Sequence, residues 1–459
     1  MSANLIKIYS LNLGVHRNNK RVWIESKKIN ETALSHDMSY KIVYDLEKKS
    51  ISLTKGNERS ITLRKNGRGV IDLNNSYISQ IFSGFNQVVV KIHTDSIIIE
   101  PLREEINQAK AHSKANSTEP TFLEVFAGGG TLIQSLKDSG LKPIGAIELE
   151  DKYIENAEVN TPNMFTYCGD LAKLDVNLLP KADIVSGGIP CEGYSASQLG
   201  INKKEEHPTG SLGFYFLKII DAIRPAMVLI EEVPNFGSSA MIAMVRYVLT
   251  SMGYKISEQL LIGTDYGSLT KRKRYVMVAS IKDTFSFNKM KTTKCTKTIA
   301  GILEVPIEQR DWLNKDNSKT IAYSLRKEQE HIRKGDGFRL ARTKIDDNCV
   351  ATITKGYYKN RLTDPILIHP NIPDTFSWFT PRELARINGL PDSFILPNVK
   401  GTAGEIIGQG VCYEVFNNLG KAICDTFTKT EDSGLEEFAN NTLYSSKQMQ
   451  AFSKGLLFT

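Results

Sequence analysis

A cysteine, a glutamate and two arginines stand where a chain of this kind would assemble a covalent catalyst. Cys191 follows Pro190 in the run Gly187-Gly188-Ile189-Pro190-Cys191-Glu192-Gly193-Tyr194-Ser195, directly after the apolar strand pattern Ala182-Asp183-Ile184-Val185-Ser186. A thiol at the open end of a strand, on a backbone stiffened by proline and freed by glycines, is placed to attack. Glu231 closes a second apolar strand, Ala226-Met227-Val228-Leu229-Ile230, and Arg272 and Arg274 open a third that runs on from Tyr275 to Ser280. A free thiol has a pKa of about 8.5, so a cysteine nucleophile needs cations beside it. The two arginines would supply them.

A ligand site is expected beside this set. Thr121-Phe122-Leu123-Glu124-Val125-Phe126 reads as a strand, Ala127-Gly128-Gly129-Gly130 as a tight turn and Thr131 to Ser139 as a helix. Such a turn lets a ligand approach backbone N–H groups. Glu148 ends the next strand, near the spacing at which an acid receives ribose hydroxyls. Asp170 lies beyond a third strand, Phe165-Thr166-Tyr167-Cys168, and is a candidate acceptor for an adenine amino group. The turn is not GxGxxG, so a nucleoside without a pyrophosphate fits better.

These residues need a scaffold that gathers them. From Thr121 to about Ser280 strands alternate with helical stretches, the signature of a parallel sheet covered on both faces. In an open α/β sheet ligands bind beyond the carboxyl ends of the strands, and Phe126, Glu148, Asp170, Cys191 and Glu231 all fall there. About a dozen residues without a helical pattern join Ile256–Ile262 to Tyr275–Ser280, so these two strands are read as antiparallel. That places Arg272 and Arg274 on the same edge as Cys191 and Glu231.

Either side of this region the composition changes. Residues 1–102 read as a β-rich unit with strands near Arg21–Ile24, Lys41–Tyr44, Ser50–Leu53, Val70–Leu73, Val88–Val90 and Ser96–Ile99 and helix-like stretches at Lys27–Leu34 and Asn75–Phe82. Corresponding hairpins lie about 46 positions apart, a weak internal duplication. The unit resembles two tandem copies of the swapped-hairpin module of bacterial transition-state regulators, which bind DNA. Residues 1–68 hold 14 Lys and Arg against 6 Asp and Glu, a balance that suits a polyanion or a solvated surface. A polar linker, residues 103–120, follows. Residues 281–377 are Lys/Thr/Asn-rich, irregular and inserted in character. Regular pattern resumes at Thr380-Pro381-Arg382-Glu383, with a helix from Gly408 to about Thr426 and a polar tail over 429–459.

At 459 residues, 41% hydrophobic and 24% charged, the chain suits two or three globular domains. Six scattered cysteines form no CxxC pair and the seven histidines no ligand-spaced cluster, so neither a disulfide framework nor a metal site is expected. With no run of eighteen apolar residues and no leader pattern, a cytosolic protein, monomeric by preference, is expected.

Taken in order, Phe126-Ala127-Gly128-Gly129-Gly130, Pro190-Cys191-Glu192-Gly193-Tyr194-Ser195, Glu231-Glu232-Val233, Arg272-Lys273-Arg274, Thr380 to Glu383 through Gly389-Leu390-Pro391-Asp392-Ser393-Phe394, and Gly408-Gln409-Gly410-Val411 resemble the DNA cytosine-5 methyltransferases of restriction-modification systems and phages. The resemblance covers about residues 121–428. It implies a Rossmann-like class I methyltransferase domain and S-adenosylmethionine as donor, with Phe126, Ala127, Gly128, Gly130, Glu148, Leu149, Asp170, Leu171, Pro190, Leu212 and Gln409 as cofactor contacts. It also implies that the insert is a target-recognition domain and that the last helix packs back on the catalytic sheet.

The implied roles are Cys191 as nucleophile at carbon 6 of cytosine, Glu231 at ring N3, Arg274 on the ring carbonyl oxygen and Arg272 in support of the thiolate and Glu231. The reacting carbons are stacked in duplex DNA, so the base must be flipped out. Ser195, Lys203 and Lys204 lie in a candidate closing loop, and Thr352, Thr354, Lys355 and Gly356 in a candidate base-reading segment. A cognate restriction endonuclease is the implied partner.

Four positions depart from the family's usual residues: Glu192, Glu232, Thr270 and Gln409. Glu192 and Glu232 add negative charge that disfavours a thiolate. Two other readings therefore stand beside the first: an RNA cytosine-5 methyltransferase, although the Cys-Phe-Thr signature of that branch is absent, and a DNA-binding regulator with little catalysis.

Overall fold

A computed structural model describes residues 5–35, 38–65, 67–102, 119–190, 211–282, 285–337, 339–359, 361 and 363–428. The chain divides into two compact units, 1–110 with 431–459, and 111–430. Cys191, Glu192, Ser195, Lys203 and Lys204, the linker from 103 to 118 and the tail from 429 lie outside the described residues.

In the first unit ten short strands form two sheets. They are β1 (Leu5–Asn12), β2 (Gly14–His16), β3 (Asn19–Ser26), β4 (Ser39–Asp45), β5 (Ser50–Lys55), β6 (Arg59–Ser60), β7 (Thr62–Leu63), β8 (Gly69–Asn74), β9 (Gln87–His93) and β10 (Ser96–Pro101). One sheet runs β1-β9-β10-β5-β4-β6 and the other β2-β3-β8-β7. Both orders are palindromes under the exchange of β1–β5 with β6–β10, the arrangement of an internal duplication. Alternation along β5, β9 and β10 buries Ile51, Leu53, Val88, Val90, Ile92, Ile97 and Ile99 in one core. All six strands read from sequence are present; β1, β2, β6 and β7, short or weakly alternating, are not visible in the sequence.

The second unit is built on a seven-stranded sheet, β13-β12-β11-β14-β15-β17-β16. Its strands are β11 (Thr121–Val125), β12 (Lys142–Glu148), β13 (Phe165–Cys168), β14 (Ile184–Gly187), β15 (Met227–Glu232), β16 (Lys255–Ile262) and β17 (Lys273–Ser280). β11 to β15 are parallel. β17 enters antiparallel to both β15 and β16, as the missing crossover helix predicts. Val228-Leu229-Ile230 and Val276-Met277-Val278 are fully buried because helices cover the sheet. The order suits the class I methyltransferase domain that the sequence resemblance implies.

Helices α2 (Thr131–Lys137) and α9 (Tyr413–Thr428) pack together, the second returning from the far end of the chain. Asn417 donates to the Ser135 carbonyl at 3.2 Å and Tyr413 to Asp138 at 2.9 Å. The helix expected from Gly408 is in fact two. α8 (Lys400–Gln409) ends around Gly408 and α9 begins at Tyr413, because Gly410 leaves the helical conformation with ψ −173°.

The insert is more ordered than its composition suggests. It contains a fifteen-residue helix, α6 (Lys319–Arg333), and a small sheet of β18 (Ala341–Thr343), β19 (Pro365–Ile368) and β20 (Phe376–Ser377). α6 escapes a periodicity reading because its buried stripe is thin and includes Glu328, whose carboxylate accepts two bonds from Arg342 at 2.7 and 2.8 Å. Elsewhere Arg310 ties the insert to α7 (Pro381–Ile387). Its guanidinium meets Glu383 at 2.7 and 3.0 Å with both side chains at most 2% exposed, and also donates to Val305 and Trp378 carbonyls. Glu383 completes a capping box with Thr380.

Burial pushes the Glu383 carboxyl up, but the Arg310 guanidinium and the Thr380 amide outweigh it and hold the group below its ordinary 4.5. Removing one member of such a pair strands a buried charge. Arg310→Ala is expected to destabilise the unit by about 3–5 kcal/mol, measured by urea unfolding. The stabilisation from Glu383 is present above pH 4.5 and is lost as pH falls through its lower folded value.

Candidate active site

The carboxyl ends of β11, β12, β14 and β15 open into one cavity of about 500 Å³. Its first wall is the glycine turn. Phe126 adopts φ +62°, a left-handed conformation that a non-glycine residue holds only under constraint; its ring lies 6.3 Å from Phe216. Gly130 caps α2 at φ +85°, where a Cβ would meet Ala157 at 3.0 Å. It shapes the turn from behind and does not line the cavity. Phe126, Ala127, Gly128, Glu148, Leu149, Asp170, Leu171, Pro190, Leu212 and Gln409 all do.

Glu148 is held by three backbone amides. One oxygen accepts from Gly128 at 2.7 Å and the other from Leu149 at 2.8 Å and Glu150 at 3.1 Å. The carboxylate is thereby oriented, and its remaining lone pairs can accept ligand hydroxyls. Asp170 caps a 3₁₀ turn through the Ala172 amide at 2.9 Å. Opposite, the Gln409 Nε2 is buried and meets no hydrogen-bond acceptor among the described residues, an unmet donor of the kind that a bound ligand satisfies.

Glu231 meets Arg274 at 2.5 Å, with side chains only 12% and 15% exposed. Gly188 lies against Glu231; a Cβ there would come within 3.2 Å of its carboxylate. Arg272 takes a different place. It is 3% exposed, lies outside the cavity lining, and donates to the Ile353 carbonyl at 3.0 Å and the Gly408 carbonyl at 3.1 Å. Its observed partners make it a tie between the insert, α8 and the catalytic sheet. Thr270, fully buried, bridges to Val350 of the insert.

The insert residues divide as well. Thr354 spends its amide and hydroxyl on Asp364, at 2.9 and 3.0 Å. Gly356 is buried and Thr352 half-buried. Lys355 projects to the cavity and over the Tyr153 ring, 5.3 Å from its centroid. Gly408 makes this approach possible, since a Cβ there would lie 2.1 Å from the Thr354 carbonyl oxygen.

Glu124, Tyr153 and Glu232 also line the cavity and were not anticipated as part of it. Glu124 had a visible signal, an acid within an apolar strand. It is 2% exposed and accepts from the Ser186 hydroxyl. Burial, opposed by that hydrogen bond and reinforced by the charge of Glu231, pushes its carboxyl up to about 8.

A family model for C-5 cytosine-specific DNA methylases matches residues 120–425. The chain belongs to this family. It is similar to the Type II methyltransferase M.DsaV of Dactylococcopsis salina, 26% identical over 326 residues covering 68% of this chain and 87% of that one. Similarity to M.MspI of Moraxella sp is 25% over 75% and 78% of the two chains, and to M.HhaI of Haemophilus parahaemolyticus 25% over 66% and 94%. The Dnmt2 methyltransferase of S. pombe shares the fold, with a TM-score of 0.57 at 19% identity over 68% of this chain and all of the other. The chain is therefore a DNA cytosine-5 methylase, and its cavity lies where the methylase sequence motifs converge.

Glu124 yields a test of the cavity floor. Its folded pKa lies above its ordinary 4.5, so its contribution is fully present below pH 4.5 and is lost as pH rises toward about 8. The neutral isostere Glu124→Gln is expected to gain stability over the parent through that window, by on the order of a few kcal/mol at pH 8. Urea midpoints measured from pH 5 to 8 check this.

Proposed function

We propose that this methylase modifies carbon 5 of a flipped-out cytosine within one short duplex sequence, through a covalent adduct with Cys191. The observation that carries the reading is the single cavity shared by the buried Glu231–Arg274 pair and the Glu148–Gln409 ligand wall. S-adenosylmethionine fits that wall: Glu148 would take the ribose hydroxyls, Gly128 and Gly129 allow close approach, and the unmet Gln409 Nε2 would find an acceptor. When bound, it supplies an electrophilic methyl group.

The chain's own groups do the rest. Cys191, which the motif places just beyond Pro190, adds its sulfur to carbon 6 and makes the ring enamine-like. Glu231 holds ring N3 and shares its proton. Arg274 has five donors, enough to serve both Glu231 and the ring carbonyl oxygen. Loss of the carbon 5 proton then expels the cysteine. Arg272 acts by position, fixing the Thr354–Lys355 backbone beside the cavity.

Duplex DNA is the partner, with Ser195, Lys203, Lys204, Thr352 and Lys355 as its candidate contacts. By analogy with the Type II relatives a cognate endonuclease belongs to the same system. No helix among the described residues is long and apolar enough to cross a membrane, and we assign the enzyme to the cytoplasm as a monomer.

Incubation with S-adenosylmethionine and mixed-sequence duplex DNA is expected to place 5-methylcytosine in one short context, read by base-resolution mapping. Cys191→Ser should abolish the product and Glu231→Gln should lower the rate by about 10²–10⁴. DNA binding without methylation in the parent protein would overturn the reading. Gln409→Leu is expected to raise the cofactor KM about fivefold or more, near 1 kcal/mol, with kcat little changed.

A further inference from the structure

The insert reaches the cavity through Lys355, and the sheet order shows which part of a ligand this side chain meets. Asp170 lies beyond β13, Glu148 ends β12 and the glycine turn follows β11, three neighbouring strands about 4.8 Å apart. A nucleoside with its base at Asp170 and its ribose at Glu148 therefore sends whatever the ribose carries across the glycine turn.

Gln409 stands on the far side of that turn. A Cβ on Gly128 would lie 3.3 Å from the Gln409 Nε2. Two contacts deliver Lys355 to the same place. Its backbone nitrogen would lie 2.6 Å from a Cβ on Gly408, the residue before Gln409, and its ammonium stands 5.3 Å from the Tyr153 ring centroid. Tyr153, on α3 (Asp151–Asn160), donates to Glu405 of α8 at 2.9 Å. Glu405 precedes Gln409 by four residues, one turn back on the same helix face.

The charges of the cavity give this cation a task. Six acids line it, Glu124, Glu148, Glu150, Asp170, Glu231 and Glu232, against the two cations Arg274 and Lys355. Arg274 is paired with Glu231. Lys355 is exposed and forms no ion pair among the described residues, and Glu405 beside Tyr153 is held by Lys152 at 2.7 Å. Such a cavity attracts the sulfonium and ammonium groups of S-adenosylmethionine and repels its carboxylate.

We propose that Lys355 is a cofactor-binding residue whose ammonium, beside the Gln409 amide, takes the carboxylate of S-adenosylmethionine. The assignment rests on the donor named above and moves Lys355 from the candidate DNA contacts to the ligand wall. It also makes the insert part of the cofactor site. Arg272, bonded to the Ile353 and Gly408 carbonyls, holds the backbone beside both carboxylate donors. A hydrogen bond between charged groups is roughly twice as strong as a neutral one, so Lys355 carries more of the selection than Gln409.

Decarboxylated S-adenosylmethionine keeps the nucleoside, the sulfonium and the amine and lacks only the carboxylate. The full chain and its K355M and K355R variants are titrated with each of the two ligands by calorimetry, without DNA, so that no turnover occurs. The proposal expects the parent to bind S-adenosylmethionine about tenfold or more tighter than the decarboxylated form. K355M should lose about tenfold or more for the first ligand and less than about twofold for the second, and K355R should recover most of the loss. An equal loss for both ligands would mark a structural role and overturn the proposal. Unchanged affinity of K355M for S-adenosylmethionine would overturn it alone, whether or not DNA affinity falls. A parent that binds neither ligand would overturn the donor assignment and the proposal together.

Discussion

The reversal of one strand governs the catalytic unit. β17 enters between β15 and β16 against the direction of its neighbour β15, so its first residues emerge at the edge where β11 to β15 deliver their last. Were it parallel, Arg274 would lie towards the other end of the strand, about 17 Å away at roughly 3.3 Å per residue. As built, Glu231 stands opposite Val276 and Arg274 reaches it diagonally. A carboxylate as buried as Glu231 needs such a partner, since an unpaired charge there costs several kcal/mol. Sheet topology and charge pairing are therefore one constraint.

The insert combines buried apolar clusters, which include Ile299, Ile302, Val350, Ile353, Tyr357 and Leu367, with polar ties. Arg310 with Glu383 and Arg272 with two carbonyls each join segments far apart in sequence. Both guanidiniums are buried and both are engaged by several acceptors, the condition under which buried charge is tolerated. Through Arg272, the end of α8 that carries Gln409 and the loop that carries Lys355 are fixed against the same strand. The ligand wall and the recognition insert share one anchor.

Much of this was legible in the sequence, and the limits have physical reasons. Continuous apolar runs identified β11, β14, β15 and β17, and the lack of a crossover helix identified the reversal. Glycine spacing and acids at strand ends pointed to the turn, Glu148 and Asp170; the family resemblance supplied the other cavity-lining residues, Leu212 and Gln409 among them. Arg272 was not legible: two positions from Arg274 in sequence, it differs only in what surrounds it, and surroundings come from Ile353 and Gly408, 81 and 136 residues away. Tyr153 and Glu124 were missed because a tyrosine on a helix and an acid in a strand have commoner uses. α6 was missed because charged pairs replace part of its apolar stripe.

The union of α2 with α9 has a consequence in time. Contacts between them span about 280 residues of chain. At about 5–20 residues per second, ribosomal synthesis leaves the apolar face of α2 uncovered for roughly 15–60 s after it emerges. Most of the parallel sheet exists before its last covering helix is made. The nascent methylase is therefore most exposed to aggregation just before α9 emerges.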